Sequence, residues 1–128
     1  MNLKVQDLMY TQVYYIASSS SARDAAKLMA EKKVGSLLIK KDHDVVGIVT
    51  QGDLVERVIA KGQNPEQITV EQIKNYPLIM IDADTDIMEA ADILTKYKVR
   101  RLIVMQAGKI AGIISTKVIG ANLKRLVK

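Results

Sequence analysis

Three observations predict an α/β fold built from two like halves: a gapless internal repeat, the same order of strand and helix signals in each copy, and an aliphatic core composition. Sliding the chain by 65 residues lays "DAAKLMAEKKVGSLLI" (24–39) on "EAADILTKYKVRRLIV" (89–104). Ala25 then falls on Ala90, Ala26 on Ala91, Lys33 on Lys98, Val34 on Val99 and Leu37 on Leu102, and further on Gly47 and Ile48 fall on Gly112 and Ile113. Two copies of this length are too few and too long for a solenoid. The expected arrangement is one compact domain in which two β-α-β-β-α copies, 1–63 and 64–128, complete a core across a pseudo-twofold axis.

Each copy opens on a short apolar strand, "VYYI" (13–16) and "LIMI" (78–81). Ser21 with Asp24, and Asp86 with Glu89, follow at capping-box spacing, where side-chain oxygens satisfy the free amides of a new helix. Ala22, Ala25, Ala26 and Met29 then recur at helical spacing, as do Ile87, Ala90, Ala91 and Leu94, so each helix has one apolar stripe to bury. "LLIK", the polar turn "KDHD" and "VVGIVT" read as a β-hairpin, matched by "LIVM", "QAGK" and "IAGIIS". A second helix follows each hairpin, marked by Leu54, Val55, Val58 and Ile59 and by Val118, Ile119, Leu123, Leu126 and Val127. "KGQNPEQIT" (61–69) is polar, carries a proline and reads as the linker.

Composition removes several function classes. Without cysteine there is no disulfide framework, no thiolate zinc site and no cysteine nucleophile, so nothing calls for an oxidising compartment and the cytoplasm is expected. "MNLKVQDLMYTQV" lacks the continuous apolar stretch of a signal peptide, and no run approaches the roughly 18 residues of a membrane span. Phe and Trp are absent, which takes away the strongest base-stacking side chains. Met9, Met29, Met80, Met88 and Met105 read as core filling. His43 in "KDHD" reads as a solvated turn residue, and no metal site is expected. Charge is skewed: from Ile93 onward there is no acid, while Lys96, Lys98, Arg100, Arg101, Lys109, Lys117, Lys124, Arg125 and Lys128 supply cations. That stretch suits an anionic ligand or a solvated basic surface.

"GIVTQGD" (47–53) ends on an acid, whereas its counterpart "GIISTKV" (112–118) ends on Val118. Thr50 and Asp53 stand at capping-box spacing, and Ser115 caps equally well, so an acid at the third helical position needs no ligand to explain it. A carboxylate there can equally accept the two hydroxyls of a ribose. Spacing alone leaves both readings open.

With this element order and "GIVTQGD" closing the hairpin, the chain resembles a tandem pair of cystathionine-β-synthase (CBS) domains, a Bateman module, over nearly all of residues 3–127. The resemblance implies two clefts between the copies that in many members bind AMP, ADP, ATP or S-adenosylmethionine, and pairs that associate into dimers. Carried over residue by residue, one site would use Ile48, Thr50 and Asp53 with Tyr76, Leu78, Ile79 and Val99 around the base and Arg100 as the nearest cation. The other would use Ile113, Ser115, Lys117 and Arg101, walled by Tyr10, Val13, Tyr14 and Val34, and would lack a ribose acceptor because Val118 accepts nothing. The cations and the ribose reader are thus divided, since Gly35 and Ser36 stand where the second copy has Arg100 and Arg101.

The expected function is therefore a non-catalytic regulatory module that senses an adenine nucleotide or S-adenosylmethionine and signals by conformational change to an unidentified regulated protein. No nucleophile-base pair or phosphate-transfer loop is legible, so no catalytic residue or cofactor is assigned. A homodimer is expected, with Leu54, Val58, Ile119 and Leu123 on faces that need cover. The alternative is a nucleic-acid-binding or structural dimerisation module using the basic C-terminal third. It is disfavoured because adjacent strand residues such as Arg100 and Arg101 point to opposite faces.

Overall fold

The computed structural model describes residues 3–126. Two compact units emerge: residues up to Val13 together with those from Ile79 onward form one, and Tyr14–Leu78 forms the other. These packing units are cut differently from the sequence repeats. Each sheet is covered by the short arm that, in sequence, leads into the other copy.

In the Tyr14–Leu78 unit, β1 (Tyr15–Ala17), β2 (Ser36–Lys41) and β3 (Asp44–Thr50) form a sheet in that order, β1 parallel and β3 antiparallel to β2. Between β1 and β2 runs α2 (Ala22–Lys32), started by Ser21, whose Oγ accepts from the Asp24 amide at 3.0 Å. A helical turn, α3 (Gln51–Asp53), continues as a π-helix over Leu54–Ile59. The arm 64–78 carries α4 (Val70–Ile73), which drops Val70 and Ile73 into the core beside Leu37, Ile39 and Val49. The polar linker is tied down rather than free: the Ala22 and Arg23 amides donate to Ile68 O and Pro65 O, and Arg23 pairs with Glu66.

The second unit repeats this plan. Its sheet is β4 (Met80–Asp82), β5 (Arg101–Gln106) and β6 (Lys109–Ser115), with α5 (Ile87–Lys96) between β4 and β5. The arm carries α1 (Val5–Leu8), and Val5 and Leu8 join Ile87, Ala90, Leu102 and Ile114 in the core. Registers match across the repeat: Tyr15 pairs with Leu38 and Met80 with Ile103, and both hairpins slip after Ile39 and after Val104. Even left-handed backbone recurs at equivalent non-glycine positions, at Lys33 and Lys98 and at Asp42 and Ala107.

One glycine in each "GI" pair has a packing reason. A Cβ on Gly112 would sit 2.3 Å from the Tyr10 carbonyl, and one on Gly47 would sit 3.0 Å from the Asn75 carbonyl, because each arm pairs in antiparallel fashion with the residue that follows its glycine. Tyr10 pairs with Ile113, and Asn75 with Ile48.

Several expectations are corrected. The opening strands are shorter and lie two residues further on, so Val13 and Leu78 precede them, because it is Ile16 and Ile81 whose side chains reach the cores. Ala26 is exposed, and the stripe on α2 is Ala22, Ala25 and Met29. Met80 and Met88 are exposed rather than core-filling. The last helix is broken into α6 (Thr116–Ala121) and α7 (Leu123–Leu126), with Asn122 Nδ2 turned back onto Val118 O at 2.8 Å. Ile119 is buried and Leu126 packs on the core, but Leu123 is exposed and Val127 lies outside the described residues. Val58 and Ile119 are spent on their own cores and need no partner, while Val55 and Ile59 face outward. Among the described residues no helix is long and apolar enough to cross a membrane.

Candidate functional site

β3 ends at Thr50, whose extended backbone (φ −123°, ψ 166°) halts the ladder and turns the chain into α3. The turn is a capping box: the Asp53 amide donates to Thr50 Oγ1 at 3.2 Å, and the Thr50 amide donates to Asp53 Oδ2 at 2.8 Å. Thr50 Oγ1 also donates to the same Oδ2 at 3.0 Å. A further donor arrives from the arm, where Asn75 Nδ2 reaches Asp53 Oδ2 at 2.6 Å. Asn75 is held there by its backbone, which exchanges bonds of 2.9 and 3.1 Å with Ile48.

Arg57 closes the network. Its Nη2 donates to Asn75 Oδ1 and its Nη1 to Ile73 O, both at 3.1 Å, and its Nε lies 3.6 Å from Asp53 Oδ1. The last distance is an ion pair but too long for a hydrogen bond. Asp53 is thus a carboxylate only 7% exposed, with Oδ2 taken by three donors and Oδ1 facing a single guanidinium nitrogen.

The equivalent place in the other unit keeps the scaffold and loses the chemistry. Ser115 Oγ accepts from the Val118 amide at 3.2 Å, and Tyr10 exchanges bonds of 2.8 and 2.9 Å with Ile113. Shifting by 65 residues, Asp53, Asn75 and Arg57 become Val118, Tyr10 and Asn122, so all three members of the network depart together. Asn75 and Arg57 were not legible as site residues from the motif alone. The signal that could have found them is this joint departure in the repeat register.

Of the residues expected at the first site, Ile48, Thr50, Asp53, Tyr76 and Leu78 belong to the Tyr14–Leu78 unit. Ile48 is buried in β3, Thr50 and Leu78 are half-buried, and Tyr76 is exposed with Lys74 Nζ 4.9 Å from its ring centre. Ile79, Val99 and Arg100 belong to the other unit. For the second site, Tyr10, Val13, Arg101, Ile113, Ser115 and Lys117 share one unit, with Arg101 paired to Ser115 across β5 and β6, and Tyr14 and Val34 belong to the other. An apolar groove of about 400 Å³ lies along α5 and α6, lined by Leu94, Val99 and Ile119 among others. Val99 is the one residue it shares with the expected sites. His43 is exposed in its hairpin turn, and among the described residues no group of three His, Cys, Asp or Glu side chains is placed to hold a metal ion.

The family model for the CBS domain matches twice in tandem, over residues 5–60 and 70–119. The chain belongs to the CBS domain family. This CBS pair is 32% identical over 103 residues to an uncharacterised protein of Methanocaldococcus jannaschii, covering 78% of this chain and 55% of that one. It likewise covers 50% of a relative from Methanopyrus kandleri, so it spans about half the length of these curated relatives. Among solved structures it resembles the hexameric CBS-CP12 protein from bloom-forming cyanobacteria, with 32% identity, a TM-score of 0.89 and coverage of 100% of this chain and 76% of that one. It also shares the fold of the CBS domain pair of protein MJ0100, solved in complex with 5′-methylthioadenosine and S-adenosyl-L-methionine. That likeness has 22% identity, a TM-score of 0.82 and coverage of 98% and 99%.

Proposed function

We propose that this CBS pair is a non-catalytic regulatory module that binds an adenosine derivative, with Asp53 as its ribose acceptor. The observation that supports this is the state of one carboxylate. Asp53 is buried and anchored, yet Oδ1 has only Arg57 Nε at 3.6 Å, which leaves acceptor capacity that a sugar hydroxyl can fill. Tyr76, exposed on the same unit one residue beyond Asn75, offers an aromatic face to a base. The Thr50 hydroxyl donates to Asp53 Oδ2 and accepts from the Asp53 amide, so it is locked in the cap and is no free nucleophile.

The MJ0100 pair, crystallised with adenosyl ligands, makes adenosine derivatives the class to test: AMP, ADP, ATP or S-adenosylmethionine. Val118 can accept nothing, so one such site per chain is assigned. A ligand that prefers one conformation of the pair shifts its population, and a regulated protein reads the shift. Self-association belongs to the same reading: Val55 and Ile59, one turn apart, are 60% and 63% exposed, and the related CBS-CP12 protein is a hexamer.

A thermal-shift panel of AMP, ADP, ATP, S-adenosylmethionine and NADH tests the proposal. At about 100 times its dissociation constant the true ligand adds roughly 2.7 kcal/mol, or several degrees. In Asp53→Ala that increment falls by about half or more. A panel in which no adenosine derivative raises the melting temperature contradicts the proposal.

A further inference from the structure

The closed ring of Asp53, Asn75 and Arg57 constrains how any sugar can be read, an inference that rests on the ribose-acceptor reading above. A carboxylate that accepts a vicinal diol in the bidentate mode uses both oxygens, one for each hydroxyl. In this chain Oδ2 already accepts from the Thr50 amide, the Thr50 hydroxyl and Asn75 Nδ2, at 2.8, 3.0 and 2.6 Å. Three donors occupy every approach to that oxygen and leave none for a fourth. The Asn75 amide cannot turn away freely, since its other end, Oδ1, accepts from Arg57 Nη2 at 3.1 Å and Arg57 is itself anchored to Ile73 O.

We propose that Asn75 is a specificity-determining residue: by filling Asp53 Oδ2 it leaves Oδ1 alone to read the sugar, so the site senses one ribose hydroxyl rather than the diol. Asn75 acts here through Asp53 and need not touch the ligand. Arg57 fixes the orientation of the Asn75 amide and is the positioning residue behind it. The ligand class that follows is an adenosine derivative in which one of the two ribose hydroxyls is dispensable.

The test is isothermal titration of the full chain with AMP, ADP, ATP and S-adenosylmethionine and with their 2′-deoxy and 3′-deoxy counterparts, for the wild type, Asn75→Ala and Arg57→Gln. In the wild type, one of the two deoxy forms should bind within about 3-fold of the parent nucleotide and the other should lose at least about 10-fold. Asn75→Ala removes one of the three donors and opens one approach to Oδ2, so both deoxy forms should then lose about 10-fold relative to the parent, and Arg57→Gln should fall between the two patterns. A purely structural role for Asn75 would lower the apo melting temperature without changing this pattern. Equal losses for both deoxy forms in the wild type overturn the inference even if the variants do not fold. An unchanged pattern in folded Asn75→Ala overturns it too. If none of the parent ligands binds the wild type, the ribose reading itself fails and this inference falls with it; if one binds without the asymmetry, only this inference falls.

Discussion

Asn75 Nδ2 lies 2.6 Å from Asp53 Oδ2, although the two residues are 22 positions apart and sit on opposite sides of the linker. The bond joins the arm that leads into the second repeat to the helix cap that ends the first hairpin. A turn motif legible within seven residues, 47–53, is thereby completed by a residue outside it.

Removing that acceptor has a cost even without ligand. In Asp53→Ala the Thr50 amide and Asn75 Nδ2 lose their shared acceptor, and the capping box opens. We expect a loss of about 1–3 kcal/mol of apo stability, measurable by urea denaturation. Val118→Ala removes only partly buried methyl groups and should cost about 1 kcal/mol. An apo stability of Asp53→Ala equal to wild type would mean the network carries no weight.

The two repeat glycines should differ sharply. Alanine at Gly112 puts its Cβ 2.3 Å from the Tyr10 carbonyl, a backbone atom, so the arm must move and its two bonds to Ile113 must strain. Alanine at Gly47 meets the Asn75 carbonyl and Lys74 at 3.0 Å and needs a shift of a few tenths of an ångström. We expect Gly112→Ala to lower stability by more than about 2 kcal/mol and Gly47→Ala by about half as much. Calorimetry showing equal melting temperatures for the two variants would contradict this packing of the arms.

Truncation before Val118 should destabilise the protein by several degrees, because it removes buried Ile119 together with Val118 and Leu126, which pack on the same core. Leu123→Ala, at an exposed position, should change stability by less than about 0.5 kcal/mol. The contrast separates the core-packed residues of these helices from exposed Leu123.

Legibility followed the reach of each interaction. The 65-residue register, the hairpins and the Ser21 and Asp86 caps were readable because periodicity and capping act over a few residues. The helices α1 and α4 were not, since each is a single four-residue turn with no periodic stripe, and each packs in the unit of the other copy's sheet. The π-helix at Leu54–Ile59 was missed for a related reason. Its apolar spacing suits an α-helix, but Arg57 must reach Ile73 O and Asn75 on the arm, which sequence spacing cannot reveal. At the site, Thr50 and Asp53 were legible from the motif, whereas Asn75 and Arg57 needed the arm to be placed.

Self-association should depend on the outward face of the π-helix. Sedimentation velocity at micromolar concentration is expected to show dimers or larger species for the wild type and monomers for Val55→Asp with Ile59→Asp, two positions exposed in the single chain. A wild type that sediments only as monomer would contradict the assignment of this face.

The central claim is a single adenosine site per chain that depends on Asp53, and calorimetric titration of the nucleotide found in the thermal-shift panel tests it most directly. The account predicts a stoichiometry near one per chain for the wild type and for Val118→Ala, and an affinity at least about 10-fold weaker for Asp53→Ala. Two equivalent sites per chain, or full affinity in a folded Asp53→Ala, would contradict it and leave Asp53 as a helix cap alone.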